Sequence, residues 1–98
     1  MTEQQHPILY ASGTCPHSRM VEAFLNRHQI TVERHSIDDD PDARGEVMAL
    51  NNGYASVPTL VFPNGRVLTE PSLGQLRQAL GIQSNSPWAR LRRWLSGS

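Results

Sequence analysis

The stretch Ile8-Leu9-Tyr10-Ala11-Ser12-Gly13-Thr14-Cys15-Pro16-His17-Ser18 decides how the chain is read, and it holds the single cysteine among 98 residues. An apolar run, Ile8-Leu9-Tyr10, leads into that cysteine. Beyond it Val21, Phe24, Leu25 and His28 recur at i, i+3, i+4 and i+7, the spacing of one helix face. Cys15 therefore stands between a buried strand and the first turn of a helix expected over residues 15–28. Pro16 suits the first helical position, where a missing N–H costs nothing. The unpaired N–H groups of such a turn, together with the helix dipole, favour a negative charge. A thiol held there ionises more readily, and the thiolate is the nucleophilic form. A lone cysteine often serves only as a small buried hydrophobe; the strand–turn–Cys–Pro–helix setting favours the reactive thiol.

Charge is balanced overall but unevenly spread. Nine acidic residues and six arginines fall in residues 1–82, a balance of −3, and three arginines with no acid fall in residues 83–98, a balance of +3. The chain contains no lysine. Its length bounds it to one small domain. One cysteine excludes a disulfide framework. There is no basic-then-apolar leader and no run long enough to span a bilayer, so the expected location is the cytoplasm. Residues 1–82 read as the folded domain, a monomer, and residues 83–98 as a polar linker with a short basic amphipathic tail.

Outward from the cysteine, Ile30 to Ile37 partly alternates apolar and polar residues and is rich in β-branched side chains, which predicts a second strand. Two strands joined by a helix form a right-handed βαβ unit with parallel strands. In Asp38-Asp39-Asp40-Pro41, Asp40 is the expected N-cap of a second helix and Pro41 its first residue. Ala43, Val47 and Leu50 mark its apolar face, and Asn52-Gly53 ends it. The acidic triplet is read as a helix-start cluster and not a cation site. Val57 to Phe62 predicts a third strand. Asn64-Gly65 between apolar runs signals a hairpin to Val67-Leu68, so these last strands should be antiparallel. Ser72-Leu73-Gly74-Gln75 is a capping-box pattern for a third helix carrying Leu73, Leu76 and Leu80, with Gly81 at its end. The fold class is thus α/β, with the order β-α-β-α-β-β-α and a four-stranded mixed sheet flanked by helices.

Four stretches in this order resemble a glutaredoxin-like protein of the mycoredoxin type, within the thioredoxin-like folds. They are the strand leading to Thr14-Cys15-Pro16, the acid-rich Ile37 to Pro41, Asn51 to Thr59 with its Val57-Pro58-Thr59, and Phe62 to Ser72. The resemblance covers about residues 7–82. It implies a thiol–disulfide oxidoreductase with Cys15, Pro16, His17 and Ser18 as the catalytic motif, and a cis peptide bond before Pro58. It also implies substrate contacts at Tyr10, Val57, Pro58, Thr59, Ser72 and Leu73. Val57 would pair its backbone with a bound peptide in the manner of an added strand. Ser72 and Leu73 would offer a helix start to a carboxylate. No bound cofactor is implied; glutathione or mycothiol would be the co-substrate, and mixed-disulfide proteins the partners.

Most relatives carry a second cysteine where this chain has Ser18. An internal disulfide is therefore excluded, and the monothiol route remains. Ser18 would then donate a hydrogen bond to the thiolate. A cationic His17 would lower the thiol's pKa; the alternative is an exposed helix residue without a role. Two other functions stand beside the enzyme. One is an iron–sulfur carrier, disfavoured because such relatives have Cys-Gly-Phe-Ser and a nearby lysine. The other is a non-catalytic binding module that keeps the groove alone. The histidines at 6, 17, 28 and 35 have no zinc-ligand spacing with Cys15, and no Gly-rich phosphate loop is present. Only the tail's arginines speak for nucleic acid, so none is expected. In the tail Trp88, Leu91 and Leu95 share one helical face, too short to be stable alone. Packing back onto the acid-rich domain is the favoured reading, ahead of a membrane surface or a partner protein.

Overall fold

The computed structural model describes residues 6–82, and the tail readings at Trp88, Leu91 and Leu95 lie outside the described residues. Seven elements follow in the expected order: β1 Ile8–Ala11, α1 Pro16–Arg27, β2 Glu33–Ser36, α2 Pro41–Leu50, β3 Thr59–Val61, β4 Val67–Thr69 and α3 Leu73–Leu80. They form one four-stranded sheet in the order β2-β1-β3-β4. β1 runs parallel to β2, with Ala11 opposite Ser36, and antiparallel to β3, with Leu9 opposite Leu60. β3 and β4 are antiparallel, with Leu60 opposite Leu68.

Side chains alternate across a strand, and here the alternation divides the core. Leu9 and Ala11 of β1 and Leu60 of β3 pack with Val21, Phe24 and Leu25 of α1 and Leu76 of α3. Tyr10 faces the other way, onto Ala43 and Val47 of α2. Two helices thus cover one face of the sheet and one covers the other, with α1 and α3 side by side. That pairing brings the N-terminus of α1 near that of α3 at one end of the molecule.

Local chemistry sets the ends of the elements. Asp40 caps α2, its Oδ1 accepting from the N–H groups of Asp42 at 3.0 Å and Ala43 at 3.3 Å. Ser72 and Gln75 form the complete capping box of α3, and Gly81 closes that helix at φ 70°. Pro63 and Asn64 make the β3–β4 turn, with Gly65 at φ 90° and its N–H on the Phe62 carbonyl at 2.9 Å.

Three expectations are corrected. The second strand starts at Glu33, not Ile30, because Ile30 still belongs to the end of α1: its N–H bonds the Leu25 carbonyl at 2.9 Å, and Gln29 takes φ 56°. Ile30 and Val32 pack on the core from that connection. The third strand starts at Thr59, because Val57 and Pro58 turn out of the ladder toward Cys15. Leu50 is 43% exposed and does not share the buried face of Ala43 and Val47.

Candidate active site

The loop Ser12–Thr14 carries the chain from β1 into α1 and leaves Cys15 at the N-cap. No side-chain oxygen caps this helix, so its first N–H groups turn toward the sulfur. The thiol pKa is lowered from its ordinary value, first by the backbone N–H of Ser18, then by the Ser18 hydroxyl and the backbone N–H of His17. Partial burial and the carboxylate of Glu70 oppose this. The arrangement favours a half-buried thiolate that takes the place of a capping oxygen.

Ser18 is fully buried. Its Oγ accepts the Ser12 N–H at 3.2 Å while its hydroxyl reaches the Cys15 sulfur. The Cys15 N–H in turn bonds the Ser12 carbonyl at 3.2 Å. The residue that stands where a second cysteine would be is therefore part of the scaffold that holds the first.

On the other side of the sulfur the Val57–Pro58 peptide bond is cis, as the family resemblance implies. The protonated thiol points at the Val57 carbonyl, 3.8 Å away. Glu70 follows β4 at φ 48°, and its N–H bonds the Pro58 carbonyl at 2.7 Å, which ties the cis-proline loop to the approach to α3. His17 is turned toward the approach to α3. Its Nε2 donates to the Pro71 carbonyl at 2.8 Å, joining the first turn of α1 to the residue before the α3 cap. Pro16, His17, Met20, Glu70, Ser72 and Gln75 enclose an open cavity of about 470 Å³ beside Cys15.

A helix-start Cys-Pro facing a cis-proline loop, on this sheet order, has relatives. Residues 8–68 match the Glutaredoxin family model. The chain belongs to the glutaredoxin family. It is 26% identical over 72 residues to a Mycobacterium tuberculosis H37Rv protein named "Putative glutaredoxin Rv3198A", covering 74% of this chain and 86% of that one. Among solved structures, a single-site mutant of the thioredoxin-like protein BC3987 superposes with a TM-score of 0.71 at 26% identity, over 82% of this chain and 100% of that one. The Archaeoglobus fulgidus glutaredoxin superposes with a TM-score of 0.62 at 25% identity, over 76% and 85%. Family and fold together support a thiol–disulfide oxidoreductase role.

In this glutaredoxin the residues singled out from sequence do not all meet. Cys15, Pro16, His17, Ser18, Val57, Pro58 and Ser72 gather at one end of the sheet. Tyr10 and Thr59 do not join them. Tyr10 is 6% exposed and donates its hydroxyl to Glu46 of α2 at 2.8 Å; burial first, then that carboxylate, pushes its pKa up to about 12. Thr59 is fully buried, donating to the Ser56 carbonyl at 2.7 Å and accepting from Asn51 at 3.3 Å. Both side chains are engaged inside the fold, Tyr10 with α2 and Thr59 with Ser56 and Asn51. At the start of α3 the capping box engages the N–H groups of Ser72 and Gln75, which leaves those of Leu73 and Gly74 for an outside acceptor.

Two residues at the site were missed. Ser12 is 5% exposed and bonds through all its polar atoms. Asp38 is the first of the acidic triplet read as a helix-start cluster. Only Asp40 caps the helix, whereas Asp38 turns back to the Cys15 loop and receives Ser12 Oγ at 2.8 Å and the Gly13 N–H at 3.0 Å. The topology carried the signal. With Ala11 opposite Ser36 in a parallel pair, the residue two past β2 lies beside the residue two past β1. No cluster of three metal-ligating side chains exists among the described residues, and no described helix is long and apolar enough to cross a membrane.

Proposed function

We propose that this glutaredoxin reduces mixed disulfides between proteins and a low-molecular-weight thiol by a monothiol route through Cys15, in the manner of a mycoredoxin. The observation that carries the reading is the pairing of a lowered thiol pKa at Cys15 with a buried Ser18 one helical turn on. The first residue is activated, and the second cannot form a disulfide with it.

The Cys15 thiolate attacks the small-thiol sulfur of a mixed disulfide. A new S–S bond joins Cys15 to the small thiol, the old S–S bond breaks, and the protein substrate leaves as a thiolate that takes up a proton. A second small thiol, as its thiolate, attacks that sulfur. It leaves as the small-thiol disulfide and restores the Cys15 thiolate, which the N–H groups of His17 and Ser18 and the Ser18 hydroxyl again stabilise. The small thiols supply both electrons. Pro16 opens α1 without adding an N–H, and His17 keeps α1 and the α3 approach in register through Pro71. The backbone of Val57, outside the sheet ladder and next to the sulfur, pairs with an extended peptide. Where the small thiol carries a carboxylate, as glutathione does, that group sits against the N–H groups of Leu73 and Gly74 at the start of α3.

The test supplies a protein mixed disulfide with glutathione, mycothiol and bacillithiol in turn. Turnover with one of them, abolished in Cys15→Ser, is expected. No turnover with any of the three, and no small-thiol adduct on Cys15 by mass spectrometry, would overturn the reading in favour of a binding module.

A further inference from the structure

Ser12 is the joint of the Cys15 loop. Its N–H goes to Ser18 Oγ at 3.2 Å and its carbonyl receives the Cys15 N–H at 3.2 Å. Its side chain faces the opposite way, donating to Asp38 Oδ1 at 2.8 Å. Because that hydroxyl hydrogen is directed at Asp38, Thr14 is the donor in the 3.0 Å contact between the Ser12 and Thr14 hydroxyls, and the Thr14 N–H adds a second bond to Ser12 Oγ at 3.3 Å. The other Asp38 oxygen receives the Gly13 N–H at 3.0 Å. One carboxylate thus holds two consecutive residues of the loop from outside, and the loop's inner side holds the two residues, Cys15 and Ser18, whose relative position decides how well the sulfur is capped.

We infer that Asp38 is a positioning residue for Cys15: its carboxylate fixes Ser12 and Gly13, and through Ser12 it aligns the Ser18 donors with the sulfur. The inference rests on Cys15 being the reactive group, and it holds for any small thiol. Asp38 is built to stay ionised in this task, since the Ser12 hydroxyl and the Gly13 N–H, with the nearby charge of Arg34, keep its carboxyl below the usual carboxylate range.

The sign of one measurement separates positioning from simple charge. Removing a negative charge near a thiol, by electrostatics alone, makes the thiol ionise more easily. Loosening the loop costs the thiolate its donors and makes it ionise less easily. Thiolate absorbance is titrated, and iodoacetamide alkylation timed below the ordinary thiol pKa, in the wild type, Asp38→Ala, Asp38→Asn and Ser12→Ala, with no disulfide substrate present. A failure of the proposed substrate reading therefore leaves this test untouched. The expected result for Asp38→Ala is an upward shift of the Cys15 titration and alkylation slowed about fivefold, the ratio carried by one typical intramolecular hydrogen bond. Asp38→Asn, which keeps one acceptor for Ser12, shifts the same way by less. The double variant Asp38→Ala with Ser12→Ala shifts no further than the larger single variant, because both break one link. If Asp38→Ala does not fold, Asp38→Asn is read by the same sign. A Cys15 titration that is unchanged or moves down in the folded variants, or strictly additive shifts, overturns the inference.

Discussion

Changing Ser18 to Ala should destabilise the domain and weaken the thiolate at once. The side chain is fully buried, so water cannot replace what is removed. Loss of Oγ leaves the Ser12 N–H without its 3.2 Å acceptor inside the protein, and an unsatisfied buried donor costs about 1–3 kcal/mol. Alanine is the better helix former by roughly 0.5 kcal/mol, which offsets part of this. The expected net loss is about 0.5–2.5 kcal/mol. For a domain of this size each kcal/mol lowers the melting temperature by roughly 4–8 °C, so calorimetry of the reduced protein should show a fall of roughly 2–20 °C. In the same variant the Cys15 titration should move up, because the Ser18 hydroxyl is one of the groups that lower it. The backbone N–H of Ser18, the largest contributor, stays, so the thiol should not return fully to its ordinary value. An unchanged melting temperature with an unshifted Cys15 would refute the scaffold role of Ser18. A lower melting temperature with an unshifted Cys15 would leave the bond to Ser12 standing and refute the contact with the sulfur.

Ser18→Cys should add an internal disulfide and a dithiol route, seen as a mass loss of two hydrogens on oxidation; its failure under oxidants would show that positions 15 and 18 are not one turn apart in solution. The lowered Cys15 pKa makes the reduced protein pH-dependent. A group whose folded pKa is depressed contributes stability that is full above its unfolded value, ~8.5 for cysteine, and is lost as pH falls through the folded value. The melting temperature of the wild type minus that of Cys15→Ala should therefore rise with pH across that window, and a flat difference would contradict the shift. Asp38 gives the acid-side counterpart: its stabilisation is full above the ordinary carboxylate range and is lost as pH falls through its lower folded value, so Asp38→Ala should flatten the acid limb of the stability curve. Deleting residues 84–98, which hold both tryptophans, should lower the melting temperature and leave an active domain. An unchanged melting temperature, with no binding of the intact protein to anionic vesicles, leaves a partner protein as the tail's contact.

What was legible in the sequence was what a few neighbouring residues decide. Pro16 and Pro41 at helix starts, the Asp40 cap, the Ser72–Gln75 box and Gly81 each act within one turn, and each was readable for that reason. The element order followed from them, and with it the sheet. What was not legible has a different cause. Tyr10 lies in an apolar run that is buried on both faces of β1, so the run alone cannot say which face meets α1 and which meets α2; the bond from the Tyr10 hydroxyl to Glu46 settles it only in three dimensions. Thr59 next to the cis-proline could have faced either way for the same reason. For His17 the sequence offered a charge beside the thiolate or an exposed residue without a role, and neither reading could name its partner, a backbone carbonyl 54 residues away in the chain.

Asp38 is the instructive case, because its partner was within reach. Three successive acids before a proline satisfy a local rule completely, since one of them caps the helix and the others suit its dipole. A sufficient local explanation hid a tertiary one. Yet the predicted βαβ unit already required parallel first and second strands, and parallel strands of matched length end side by side. The residue just past the second strand must then stand against the loop just past the first, and here that loop is the one that presents the cysteine. A carboxylate at such a place has backbone N–H groups and hydroxyls in front of it, whatever the helix behind it needs. For βαβ units with a reactive group at the first strand's end, residues following the second strand are best read against that loop before they are assigned to the next helix.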